Sequence, residues 1–276
     1  MPPKSKKITF TRLRKPPLGR ISFNVLIPNL LTLIALCAGF SAVRFALINR
    51  WEFAAAAIFV AAVFDGLDGR IARLIGGASR FGAELDSLAD FVSFGVAPSL
   101  IIYLHSLQLL GKWGWVGALF FTVCCALRLA RFNTLSIEAD LKKHISPPWA
   151  SKFYLGVPVP AGAGFALIPL MIEFELGMHV TLSPYIYFVV LITSGLLMIS
   201  RIHTYAFKSI QLHTKWILPV FVSVGLLVAG FITNPWLTLM ILGAVYLCSM
   251  PFSTRDYKRF LKTSLASPKM KTPHQS

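Results

Sequence analysis

An all-helical protein embedded in a membrane, with about eight spanning helices, is the fold that the sequence predicts. Three observations carry it. Of 276 residues, 55% are hydrophobic and only 14% charged, and the mean hydropathy is +0.67; a soluble domain uses about 25% charged residues to cover its surface. The apolar residues gather in runs near the roughly 20 residues that cross a hydrocarbon core. The 27 Lys and Arg, set against 11 Asp and Glu, fall between alternate runs. That pattern is a topology signal and not a nucleic-acid surface, so no nucleic-acid partner is expected.

Taken in order, the chain opens with a basic tail, residues 1–25, carrying Lys4, Lys6, Lys7, Arg12, Arg14, Lys15 and Arg20. No small-residue cleavage site follows the first apolar run, so the tail reads as retained and cytoplasmic. The membrane domain, 26–251, holds spans at about 29–48, 53–74, 87–107, 113–131, 156–175, 183–200, 216–233 and 235–251. Pro28, Gly111, Pro184 and Pro235 punctuate them, and only 132–155 forms a connection of any length. A second basic tail, 252–276, closes the chain. With both termini inside, only Arg44, Arg50 and Lys112 lie on the outer side, leaving 24 cations inside; a missed span would swap every later segment. Cys37, Cys124, Cys125 and Cys248 sit in apolar runs without ligand spacing and read as packing residues. Five tryptophans flank spans as interface anchors, and His105, His179 and His203 read as bystanders.

The acids point to chemistry. Asp65, Asp68, Glu84, Asp86 and Asp90 fall within 26 positions. The run Phe53–Phe64 covers only about 18 Å, so Asp65 and Asp68 lie below the membrane surface on the cytoplasmic side. A carboxylate there costs several kcal/mol unless it meets water, a partner or a metal. At 100° per residue Asp65 and Asp68 share a helix face with Gly69, and Asp86 and Asp90 share one on the next helix. The short turn near Ile75–Phe81 makes the two helices antiparallel neighbours. Four convergent carboxylates repel, and all-oxygen donors suit a hard divalent cation, Mg²⁺ first, with Mn²⁺ or Ca²⁺ possible. Two competing readings are helix-end salt bridges to Arg70, Arg73 and Arg80, and an ion pathway of a cation transporter.

These residues spell Asp65-x-x-Asp68-Gly69-x-x-Ala72-Arg73, eight residues, then Gly82-x-x-x-Asp86-x-x-x-Asp90. The pattern resembles the signature of the CDP-alcohol phosphatidyltransferase family. Val92-Ser93-Phe94-Gly95-Val96-Ala97-Pro98, Leu127–Asn133, Gly156–Ala161 and Pro28-Asn29-x-x-Thr32 extend the likeness over about 25–165, toward the bacterial membrane-embedded phosphatidylserine synthase branch. The last three spans carry no readable motif.

The resemblance implies that six of the eight helices form the family's catalytic bundle, within a homodimer in the cell inner membrane whose active site faces the cytoplasm. It implies an enzyme that takes CDP-diacylglycerol and L-serine among membrane lipids and gives phosphatidylserine and CMP. The cofactor would be Mg²⁺ or Mn²⁺, two ions, with Ca²⁺ a non-productive occupant. Carried over by motif, Asp65, Asp68, Asp86 and Asp90 hold the metals, and Asp90 also takes the serine proton. Asn29, Thr32, Asp68, Gly69, Ala72, Arg73 and Gly82 would bind CDP-diacylglycerol. Asn29 and Thr32 sit where the first helix starts, so they would reach the pyrophosphate through side chains and helix-start amides, or else simply cap the helix. The small residues Gly69, Ala72 and Gly82 would admit the nucleotide, or serve plain helix packing. A carboxylate-bearing acceptor wants a cation, for which Arg128, Arg131 and Lys152 are available beside the Gly156-Val157-Pro158 turn; Arg131 and Lys152 read equally as positive-inside anchors. Rival acceptors are choline, glycerol 3-phosphate and an inositol derivative, and a membrane prenyltransferase is the rival enzyme class.

Overall fold

The computed structural model describes residues 23–77, 79–141, 153–177, 181–200, 203–205 and 217–249. Both basic tails and Lys152 fall outside them, except that helix α1 already begins at Phe23 and runs to Leu47. Helix α2 spans Trp51–Leu74, with Glu52 in its first turn beside the positive end of the helix dipole. It stops at Gly76, whose φ of 65° suits glycine, while Gly77 N–H closes back on Ala72 O at 2.9 Å. This six-to-one bond is the usual C-terminal closure of a helix. Ser79 then caps α3, Arg80–Asp90, its hydroxyl accepting from Gly82 N–H at 3.0 Å. The turn between α2 and α3 is therefore tight, as the sequence predicts, while it is α1 and not α2 that packs closely along α3.

One π-helical turn, Phe91–Val96, links α3 to α4, Ala97–His105. In a regular α-helix the ring of Pro98 would press on the Phe94 carbonyl. Widening the ladder by one residue relieves that clash, with Ala97 N–H donating to Val92 O. The span thus runs from Arg80 to His105, beginning seven residues before the predicted one. A 3₁₀ turn, Leu107–Leu110, leads into α5, Lys112–Leu141, which continues ten residues past its predicted end.

The next span is bent: α6, Val159–Ala166, and α7, Ile168–Leu176, meet at 43° beside Pro169. Helices α8, Pro184–Ile199, α9, Ile217–Thr233, and α10, Pro235–Ser249, complete the chain. Each of the eight predicted spans has a helical counterpart. Among the described residues, three helices are long and apolar enough to cross a membrane, or four if the bent pair is one span. Helix α2 is as long, but every 18-residue stretch of it carries at least three charges, Asp65 and Asp68 together with Glu52 or Arg70.

The described residues are helical in class, as expected, with one small ribbon added. Phe153–Leu155 (β1) pairs antiparallel with His203–Tyr205 (β2), joining the connection before α6 to the one after α8. Three-residue strands 48 positions apart carry no readable alternation. The core is built for close approach: Ala42 and Ala46 of α1 and Ala54, Ala55 and Ala61 of α2 are buried in it. Large apolar side chains such as Phe40, Phe53, Trp113 and Phe221 face outward, as a lipid-exposed surface requires.

Candidate active site

Asp65, Asp68 and Asp86 each present a carboxylate oxygen, and the three oxygens lie within 4.8 Å of one another. Local helix geometry explains half of this, since i and i+3 share a face. The tight α2–α3 turn brings Asp86 opposite. Asp90, one helical turn further along α3, lies within hydrogen-bonding distance of Asp65 and not in the trio. Among the described residues the only ion pair joins His105 to Glu173, so Arg70, Arg73 and Arg80 do not neutralise the aspartates. The salt-bridge reading is thereby overturned.

Carboxylates gathered this closely, hard oxygen donors without a paired cation, fit a divalent metal ion. Asp68 is the most enclosed, 4% exposed, and its Oδ2 accepts from the Thr32 hydroxyl at 2.6 Å.

Two of the three, Asp68 and Asp86, line a cleft of about 250 Å³ at the junction of α1, α2 and α3. Every residue expected to bind CDP-diacylglycerol lines it: Asn29, Thr32, Asp68, Gly69, Ala72, Arg73 and Gly82, with Asp86 beside them. The small residues divide by role. A Cβ on Gly69 would meet nothing within 4 Å, so the residue opens space and does not serve helix packing. A Cβ on Gly82 would stand 2.7 Å from Asn29 Oδ1, so here glycine lets α3 approach α1. Gly77 also lines the cleft, with its Cα against the Asn24 carbonyl. Pro28 lacks the N–H that would have bonded that carbonyl within α1.

Two expectations for α1 are corrected. The helix begins at Phe23, so Asn29 and Thr32 lie more than a turn inside it. They neither cap it nor sit among its free amides, and they face the cleft by side chain alone. Pro28 looked like a helix start because proline favours that position, but the apolar run continues upstream of it. Ser79 and Ala83 also line the cleft without having been singled out. A serine three residues before Gly82 is an N-cap signal that would have found the first.

On α5, half-buried Arg128 donates from Nε to the Val157 carbonyl and lies within electrostatic reach of Asp90. That bond fastens α5 to the Gly156-Val157-Pro158 segment, where Gly156 adopts φ 77° against the Met198 carbonyl. Helix α6 starts only at Val159, with Pro158 as its N-cap. Arg128 thus joins the Gly156-Val157-Pro158 segment and itself lies near the fourth aspartate, and Arg131 is half-buried three residues further along α5.

The family model for CDP-alcohol phosphatidyltransferases matches residues 25–199, and a second, CDP-alcohol phosphatidyltransferase 2, matches 215–251. The latter takes in α9 and α10, where no short motif is readable. Three relatives carry the name CDP-diacylglycerol–serine O-phosphatidyltransferase. The one from Mycobacterium tuberculosis (strain H37Rv) is 34% identical over 245 residues, covering 88% of this chain and 83% of the relative. That of Helicobacter pylori (strain 26695) is 33% identical over 226 residues, covering 80% and 88%. The Saccharomyces cerevisiae protein is 40% identical over 130 residues, covering 46% and 45%.

Proposed function

Because this chain belongs to the CDP-alcohol phosphatidyltransferase family, and is therefore a membrane-embedded transferase, we propose that its acceptor alcohol is L-serine and its product phosphatidylserine. The observation that carries the reading is the close aspartate trio, two of whose members line one cleft with all the residues of the nucleotide-binding pattern. The relatives' names favour serine over the other alcohols.

In this reading the diphosphate of CDP-diacylglycerol lies between α2 and α3. Asp65, Asp68, Asp86 and Asp90 would hold a Mg²⁺ or Mn²⁺ pair, which when bound supplies charge neutralisation for the pyrophosphate. Gly69 and Ala72 leave room for the nucleotide, and Arg73 and Asn29 offer polar contacts along the cleft. Asp90 accepts the proton of the serine hydroxyl as its oxygen attacks the phosphorus that bears diacylglycerol. The bond from that phosphorus to the CMP oxygen breaks, and CMP leaves. Arg128, beside Asp90, is the cation that meets the serine carboxylate. The eight helices lie in the inner membrane as a homodimer, both termini and the cleft on the cytoplasmic side.

The test supplies purified protein with Mn²⁺ or Mg²⁺, CDP-diacylglycerol and one alcohol at a time. CMP release is expected with serine. Release with glycerol 3-phosphate but not serine would overturn the assignment.

A further inference from the structure

We infer that Thr32 is a positioning residue for Asp68, orienting that carboxylate toward Asp65 and Asp86, and not a hydrogen-bond donor to the substrate's phosphates. The inference rests on the reading of the aspartates as divalent-cation ligands. Thr32 lies on α1 and Asp68 on α2, 36 positions away, yet Oγ1 and Oδ2 stand 2.6 Å apart. Both residues are buried, at 5% and 4% exposure.

A hydroxyl carries one proton. Two acceptors lie in range of Thr32 Oγ1: Asp68 Oδ2 at 2.6 Å and Pro28 O at 3.1 Å. The carboxylate takes the proton, because a charged acceptor at shorter distance forms the stronger bond. Pro28 O loses nothing, since it still has the Thr32 backbone N–H of the regular helix. With its proton committed, Thr32 has none to give a phosphate oxygen. β-Branching restricts the threonine rotamer, so the hydroxyl is a stiff post for the carboxylate. Such outer partners of a metal ligand orient it, and their loss weakens metal binding about 10–100-fold.

The experiment measures Mn²⁺ binding to full-length protein in detergent, without nucleotide, by the paramagnetic resonance of free Mn²⁺. Wild type, Thr32→Val, Thr32→Ser and Asp86→Asn are compared, and KM for CDP-diacylglycerol is then taken at saturating Mn²⁺. Thr32→Val keeps the shape and removes the hydroxyl. Its Mn²⁺ affinity is expected to fall about tenfold or more, Thr32→Ser to bind as wild type, and KM at saturating Mn²⁺ to move less than the Mn²⁺ affinity. Thr32→Ala takes the place of the valine variant if that one does not fold. Wild-type Mn²⁺ affinity in the hydroxyl-free variant, with a raised KM, would overturn the inference and return Thr32 to the substrate. Failure of wild type to bind Mn²⁺, or wild-type affinity in Asp86→Asn, would instead sink the metal reading, and this inference with it.

Discussion

Acidic side chains sit at two ends of the helical bundle, three aspartates at one and a lone glutamate at the other, and the fold treats them differently. At the end where α1 meets the α2–α3 turn, Asp65, Asp68 and Asp86 converge with no basic side chain paired to them among the described residues. At the other end Glu173 of α7 is fully partnered. Its Oε2 meets His105 Nε2 at 2.7 Å, its Oε1 accepts from Leu182 N–H at 2.7 Å, and Trp51 and Tyr187 set their rings edge-on to the imidazole. Trp51 and Asp65 are 14 residues apart on α2, about 21 Å along its axis. An acid whose every oxygen is answered by the protein is a structural clasp, here tying α4 to α7. Acids that crowd together without an answering cation leave that place to a ligand.

Four substitutions can break or sharpen this contrast. The largest effect is expected from Asp86→Asn, which removes a charge from the trio. Turnover should fall by more than the roughly 100-fold typical of an outer-shell loss, with Mn²⁺ affinity falling in parallel and thermal stability kept; equal turnover would dissolve the distinction between the two ends. Next, Asp90→Asn should cost turnover about 10²–10⁴-fold while sparing CDP-diacylglycerol affinity, read as kcat against KM. Normal turnover in that variant removes Asp90 from the proton-accepting role. Glu173→Ala should do the reverse: a stability loss of about 1–3 kcal/mol in thermal denaturation, from buried donors left without their acceptor, with Mn²⁺ affinity unchanged. The smallest effect belongs to Gly82→Ala. Its methyl group would crowd Asn29 Oδ1, at a cost of about 1–3 kcal/mol, and raise KM for CDP-diacylglycerol more than it lowers kcat.

The contrast between the ends also marks what could be read in advance. The aspartate end was legible because its pattern is local: Asp65 and Asp68 share a helical turn, Asp86 and Asp90 share another, and a short turn joins them. Gly69 and Ala72 follow from the same periodicity. The clasp was not legible. His105 looked like a bystander at a span end, because the 68 positions between it and Glu173 leave no trace in spacing. The ribbon escaped for the same reason, and Pro28 misled by sitting inside a helix that a proline more often begins.

What the amino-acid order alone determined is therefore whatever one helix or one tight turn can express: apolar runs long enough to cross a membrane, the sidedness pattern of the cations, and acids repeating at three and four residues. Only the tertiary structure decided which of those acids find a partner. Thr32 reaches Asp68, Asp90 reaches Asp65 from outside the close trio, Arg128 clasps Val157, and His105 meets Glu173. The physical reason is range. Backbone periodicity correlates neighbours over a turn or two, whereas burying a charge depends on which distant helix packs against it, and packing sums the shapes of all the helices together.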